Sequence, residues 1–234
     1  MTYISFKNVK KVYKVSGEVK VTAIQDVSFE INVGEFVVIL GSSGAGKTTL
    51  LNLLGGMEGA TSGEIMVDNT QVSSLNSSKL TQYRCDSVGF VFQFYNLIPD
   101  LTALENIELA TQICNEPLNA MDVLESVGLK NRSQNFPSQL SGGEQQRISI
   151  ARAIAKNPKI LLCDEPTGAL DSETGKNILK LLHQTAKENN KTTIVVTHNP
   201  EFAKIADRVI KMKNGRIEEI LVQDHPLKVE DLIW

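Results

Sequence analysis

Gly41-Ser42-Ser43-Gly44-Ala45-Gly46-Lys47-Thr48 matches G-x-x-x-x-G-K-[ST]. In front of it stands Phe36-Val37-Val38-Ile39-Leu40, an apolar run that predicts a buried strand. Behind it comes Thr49-Leu50-Leu51-Asn52-Leu53-Leu54, apolar along one helical face and stopped by Gly55-Gly56. Strand, glycine loop and helix form the frame in which this motif cradles phosphates. The residue types follow from the charge of a triphosphate. Glycines let backbone N–H groups curl inward without a side chain in the way. A helix opening at Gly46 adds unpaired N–H groups and the positive end of its dipole. Lys47 brings a point charge to the β and γ phosphates, and the Thr48 hydroxyl is a ligand for Mg²⁺.

The 234 residues, 41% of them hydrophobic, suffice for one large domain with room for a small subdomain. A net charge of -3 argues against a bulk nucleic-acid-binding surface. Cys85, Cys114 and Cys163 form no C-x-x-C pair and no disulfide framework, so reduced thiols in a cytoplasmic setting are expected. The opening Met1-Thr2-Tyr3-Ile4-Ser5-Phe6-Lys7 holds no apolar stretch of signal-peptide length. No apolar run approaches the roughly 18 residues that cross a bilayer. A role at a membrane would therefore need another chain to carry this one there.

Outside the loop the pattern divides in two. Residues 3–33 predict strands, with Val27, Phe29 and Ile31 alternating against Ser28, Glu30 and Asn32. Residues 62–72 predict a hairpin turning at Asp68-Asn69. A loop and short helix over 73–87 lead to a strand at Val88-Gly89-Phe90-Val91-Phe92. Helical spacing covers 101–130, broken at Asn115-Glu116-Pro117, and returns at Ile148, Ala151, Ile154 and Ala155. Strands at 160–163 and 193–197 then alternate with a helix after Ser172 and a short helix near 200–206. A strand over 209–212 and a turn at Lys213-Asn214-Gly215 follow. Such alternation predicts a parallel sheet between helices. Residues 218–234 have weak pattern, and Leu227–Trp234 is open to packing back, binding a partner or standing loose.

Two further stretches carry chemistry. Ile160-Leu161-Leu162-Cys163-Asp164-Glu165 sets two carboxylates at the end of an apolar strand, where α/β sheets bind ligands. Asp164 is suited to hold Mg²⁺ through water, and Glu165 to orient or deprotonate an attacking water. Leu140-Ser141-Gly142-Gly143-Glu144 precedes a helix. Ser141 and Glu144 have the spacing of an ordinary capping box. Each glycine in that first turn costs helix propensity of roughly 1 kcal/mol, and a phosphate approaching the backbone would account for both.

With these three motifs the chain resembles the nucleotide-binding subunit of an ATP-binding-cassette (ABC) transporter from about residue 3 to 220, and the LSGGE stretch at 140–144 is that family's signature. The resemblance implies an α/β P-loop fold with a mixed, largely parallel sheet, an N-terminal antiparallel β layer and a small helical subdomain. The core and β layer would take about 1–92 and 158–220, the helical part about 93–157, and a tail about 221–234, all within one domain. It implies ATP and Mg²⁺ as ligands. Gly41 to Thr49, Tyr13 stacked on adenine, Ser141 to Glu144 and Asp171 would form the nucleotide-binding set. Thr48, Gln93 and Asp164 would serve the metal. Glu165, His198, Gln93 and Lys47 would be catalytic, with Gln93 and His198 at the γ-phosphate and Asp171 crossing a dimer interface.

The chain has one phosphate loop and one LSGGE, so the resemblance implies a homodimer in which Ser141 of one copy completes the site at Lys47 of the other. The partner would be an integral membrane permease at the cytoplasmic face of the cell membrane, with an accessory membrane-fusion-type protein in some assemblies. Phe92 to Pro99 and Leu101 to Asn106 resemble the branch that exports macrolides or peptides, releases lipoproteins or serves cell division. Peptide, antibiotic or lipoprotein substrates are expected, with an ATP-driven regulatory clamp as the alternative. The segment between Leu109 and Leu140, with Pro117 inside it, is shorter than that branch usually has.

Overall fold

The computed structural model describes residues 1–16, 19–112, 114–188 and 191–232. Thr2–Ser16 (β1), Val19–Asn32 (β2), Phe36–Leu40 (β3), Lys47–Leu54 (α1), Ser62–Val67 (β4) and Thr70–Gln71 (β5) come first. Ser77–Asp86 (α2), Val88–Val91 (β6), Ala103–Thr111 (α3), Ala120–Ser126 (α4) and Gly142–Ala155 (α5) follow. Ile160–Asp164 (β7), Ser172–Glu188 (α6), Thr192–Thr197 (β8), Arg208–Lys213 (β9) and Arg216–Val222 (β10) close the chain.

The strands form two sheets. An antiparallel sheet runs β2-β1-β4-β5, and a six-stranded one runs β10-β9-β3-β8-β7-β6. In the second, β3 lies between β8 and β9, parallel to both, and only β10 pairs antiparallel. The buried strand expected before the phosphate loop is therefore central. Its alternate residues serve two cores: Val37 and Ile39 pack with the antiparallel sheet and α1, Phe36 and Val38 with α6. A parallel sheet covered on both faces needs such continuous apolar strands.

A third cluster holds Ala103 and Ile107 of α3, Val123 and Leu124 of α4, and Ile148, Ala151 and Ala155 of α5. The helical stretch at 101–130 does break into two helices. Thr102 caps α3 with a reciprocal box to Glu105, and Asn119 caps α4.

The end of the chain packs back. Val229 and Leu232 are buried among the α6 residues Ile178, Leu179 and Leu182. The Lys176 ammonium donates to the carbonyls of Glu230 and Leu232. Residues 218–222, weak in pattern in the sequence, belong to β10, whose alternation is broken by a bulge between Ile217 and Glu219. Its carboxylates Glu218 and Glu219 pair with Lys213 and Lys211 across the hairpin. Trp234 lies outside the described residues.

Candidate functional site

A cleft of about 790 Å³ lies at the C-terminal ends of β3, β7 and β8. Ser42 to Thr49 form its floor, Gln93, Asp164, Glu165 and His198 one side, and Val21, Thr22 and Ala23 of β2 a wall. The loop turns through left-handed glycines, Gly44 at φ 77° and Gly46 at φ 98°, where a side chain would be strained. A Cβ on Gly46 would also stand 2.6 Å from the Ala23 carbonyl, so that wall is set against the loop. Gly46 caps α1 with no side-chain acceptor, which leaves the first N–H groups of the helix directed at the cleft. Lys47 is only 7% exposed, and its ammonium donates to the carbonyls of Gly41 (2.8 Å) and Ser42 (3.1 Å).

Opposite the loop, the Thr48 hydroxyl donates to Asp164 Oδ1 at 3.2 Å. Burial pushes the Asp164 carboxyl above the usual carboxylate range; the Thr48 bond lowers it, the neighbouring Glu165 charge raises it and Lys47 lowers it. A hydroxyl and a carboxylate side by side are hard oxygen donors, which fits Mg²⁺. Among the described residues no three His, Cys, Asp or Glu side chains form a metal cage. Mg²⁺ is commonly held by one or two protein oxygens together with substrate phosphates and water.

Glu165 has a left-handed backbone, φ 46°, rare for a side chain of that size. Its N–H donates to the Val196 carbonyl, and its carbonyl accepts from Gly168 N–H. Both carboxylate oxygens are held. Thr197 Oγ1 donates to Oε2 at 3.1 Å, and His198 Nδ1 lies 3.0 Å from Oε1. Against an ionised carboxylate Nδ1 must carry the hydrogen, which leaves Nε2 of a neutral ring as an acceptor. The His198 side chain is 70% exposed and that of Glu165 15%. The Gln93 amide stands 3.2 Å from where a Gly168 Cβ would be.

Other sequence-derived candidates stand apart from this cleft. Gly41 lies behind the loop, its α-carbon against the Met212 carbonyl. Tyr13 donates to Glu58 Oε2 at 2.6 Å, with the Lys11 ammonium 4.9 Å from its ring centroid. Ser141 to Glu144 form the capping box of α5: Glu144 N–H donates to Ser141 Oγ at 3.2 Å and Ser141 N–H to Glu144 Oε2 at 2.8 Å. Asp171 Oδ1 accepts from Thr174 N–H at 3.0 Å. Neither Ser141–Glu144 nor Asp171 lines the cleft of their own chain. A Cβ on Gly142 would meet the Tyr95 hydroxyl at 2.6 Å, and one on Gly143 would collide with Thr174 Cγ2. Sequence reasoning missed the Val21–Ala23 wall and Thr197. The position of Thr197 just before His198 at a strand end was the available signal for the second.

The family profile described as ABC transporter matches residues 24–168. The chain is 46% identical over 224 residues to the ABC transporter ATP-binding protein MJ0796 of Methanocaldococcus jannaschii, covering 92% of this chain and 95% of that one. It is 44% identical over 223 residues to the macrolide export ATP-binding/permease protein MacB of Rhodopirellula baltica, covering 92% of this chain but 32% of that protein. Among solved structures, a dimeric post-hydrolysis state of MJ0796 bound to ADP and Pi superposes with a TM-score of 0.85. That match is 43% identical and covers 94% of this chain and 98% of that one.

Proposed function

This chain belongs to the ABC transporter family and is its ATP-hydrolysing cassette, and from that premise we propose that two copies close head to tail around two ATP to drive an export permease. Its substrates would be of peptide, antibiotic or lipoprotein type. The observation that carries the reading is the Glu165 carboxylate, anchored on both oxygens beside the phosphate loop. A general base needs that fixed aim.

In this reading the phosphates of ATP draw the Lys47 ammonium from the carbonyls of Gly41 and Ser42 and take the N–H groups at the head of α1. Tyr13 stacks on the adenine. Thr48, Gln93 and Asp164 would hold Mg²⁺, which would neutralise phosphate charge when bound. Glu165 accepts a proton from the attacking water, and His198 stands at the γ-phosphate.

Ser141 to Glu144 and Asp171, which do not line their own cleft, serve the site of the second copy. The dimeric state of MJ0796 supports this. Hydrolysis removes the group both copies grip, and the pair opens. The core and β layer, about 1–92 and 158–220, and the helical part, about 93–157, act as two blocks. The separate α3-α4-α5 cluster supports that division. The permease docks near Gln93, beside Phe94, which is 73% exposed, and holds the cassette at the cytoplasmic face of the membrane. Similarity to MacB supports the export branch.

Glu165→Gln tests the reading. It should bind ATP with wild-type affinity, lose turnover by about 100-fold or more, and elute as a dimer in ATP on size exclusion. A variant that stays monomeric at saturating ATP would sink the shared-site model.

A further inference from the structure

Cys85 and Cys114 are 29 positions apart, and the fold sets their sulfurs 3.5 Å from each other. Both are reduced. Cys85 stands buried in the last turn of α2, and Cys114, partly exposed, follows α3. Flanking bonds hold the two in place. Cys114 N–H donates to the Thr111 carbonyl at 3.1 Å, and its sulfur lies 3.4 Å from the Ala110 carbonyl oxygen. Beside the thiols, the Asn115 amide donates to Asp86 Oδ1 at 3.0 Å. The Lys156 ammonium, just past α5, donates to the Arg84 and Val88 carbonyls at 2.6 and 2.8 Å and fixes the end of α2. A disulfide is about 2.05 Å long, so the sulfurs need to approach by only about 1.5 Å.

The pair stands at a seam. Tyr83 and Val88, on either side of Cys85, pack in the cluster of the antiparallel sheet and α1. Ala103 and Ile107 of α3 pack in the separate cluster with α4 and α5. β6 and Gln93 lie on the stretch of chain between the two cysteines. The third thiol does not compete: Cys163 is fully buried in β7, and burial pushes its pKa up.

We propose that Cys85 and Cys114 are a reversible disulfide site, oxidised by a low-molecular-weight disulfide, that bolts α2 to the end of α3 and slows ATP hydrolysis. The brake rests on the reading that the core and the helical part act as two blocks. The Cys114 thiolate attacks one sulfur of the small disulfide and expels a small thiolate, which leaves Cys114 in a mixed disulfide. Cys85, its proton lost to water, then attacks the Cys114 sulfur and expels the second small thiolate. Two protein thiols and one small disulfide become one internal disulfide and two small thiols. The bond holds its two α-carbons within about 4.4–6.8 Å, so the blocks no longer part at that point.

Burial and then the Cys85 thiol push the Cys114 pKa up to about 11, with Lys156 lowering it and Asp86 raising it. Attack needs the thiolate, so bond formation should quicken about tenfold per pH unit between about pH 7 and 9.

The test incubates the full-length protein with glutathione disulfide. Wild type should lose two titratable thiols and the mass of two hydrogens, and a digest should yield one linked peptide pair holding Cys85 and Cys114. The melting temperature should rise by about 5 °C. ATP turnover should fall about threefold or more with KM for ATP within about twofold, and dithiothreitol should reverse every change. Cys114→Ser should hydrolyse ATP like reduced wild type and keep that rate in the oxidant. Cys85→Ser should do the same, and the first variant carries the test if the second, at a buried position, fails to fold.

A wild-type protein that keeps both thiols, or stops at a stable mixed disulfide on Cys114, would overturn the proposal and leave the two-block reading untouched. Equal inhibition of Cys114→Ser and wild type by the oxidant would overturn the brake, since the sensitive group then lies elsewhere. An internal bond that forms without any change in turnover would overturn the brake and the two-block reading together.

Discussion

Lys47 shows how a single charge is stored until substrate arrives. Its ammonium is nearly buried and, among the described residues, donates to the carbonyls of Gly41 and Ser42 and forms no ion pair. Those neutral partners leave the ammonium free of a direct ion pair and available to a phosphate. One such charge pair near a surface is worth up to about 4 kcal/mol before desolvation. Lys47→Ala should therefore lower turnover about 100-fold or more, with a marked loss of ATP affinity by calorimetry. Its melting temperature should move little, because two neutral carbonyls left to water cost little. Wild-type turnover in this variant would contradict the assignment. At this scale the sequence was most legible where a motif is local. Residues 42–49 and the pair Asp164-Glu165 do share one cleft with Gln93 and His198. Thr197 offered only its place beside His198 at a strand end, because nothing in a run of strand residues says which hydroxyl will meet a carboxylate.

Between elements, small residues set how close helix and strand come. Gly55 ends α1 with ordinary helical dihedrals, φ -74° and ψ 0°, so backbone freedom is not why glycine stands there. A Cβ at that position would collide with the Phe90 ring of β6 and stand 3.1 Å from Leu162 Cδ1 of β7. Phe90 stacks in turn on Phe92, centroids 5.4 Å apart, one residue before Gln93. Gly55→Ala should cost about 1–3 kcal/mol by overpacking, despite the few tenths gained from a less flexible unfolded chain. Chemical denaturation of Gly55→Ala and of Gly55→Ala with Phe90→Leu checks this, and the second should recover most of the loss. Equal stability of Gly55→Ala and wild type would show that the ring swings away freely. The sequence marked Gly55-Gly56 as a helix stop, which they are. The tight packing behind that stop depends on three elements meeting and has no one-dimensional signature. The same holds for the Val21–Ala23 wall, which reaches the phosphate loop only because the antiparallel sheet lies over α1.

Across the whole molecule, distant segments are held by charge as well as by apolar burial. Sequence analysis left the tail open between packing back, binding a partner and standing loose, because Val229 and Leu232 are spaced in a 3-10 turn, too short a pattern to show a period. Glu35 and Arg208 escaped for a different reason: 173 positions separate them, yet they form a bidentate pair at 2.8 and 2.9 Å. The pair ties the turn before β3 to the start of β9, and both side chains are 14% exposed. Burial alone would raise the Glu35 carboxyl, but the Arg208 guanidinium and the Asn32 amide outweigh it and hold it below the usual range. A carboxyl with a depressed folded pKa contributes stability that is present above its unfolded pKa. That contribution is lost as pH falls through the folded value. Glu35→Gln keeps the shape and removes the charge. It should lower stability at pH 7 by about 1.5–3 kcal/mol, the range for hydrogen bonds to charged groups. The gap to wild type should then narrow as acid protonates Glu35 in wild type. Urea midpoints at pH 7 and near the acid limit of folding measure both effects. A gap that stays constant with pH would mean that the pair acts through shape alone and that its charge contributes nothing to holding β9 in the sheet.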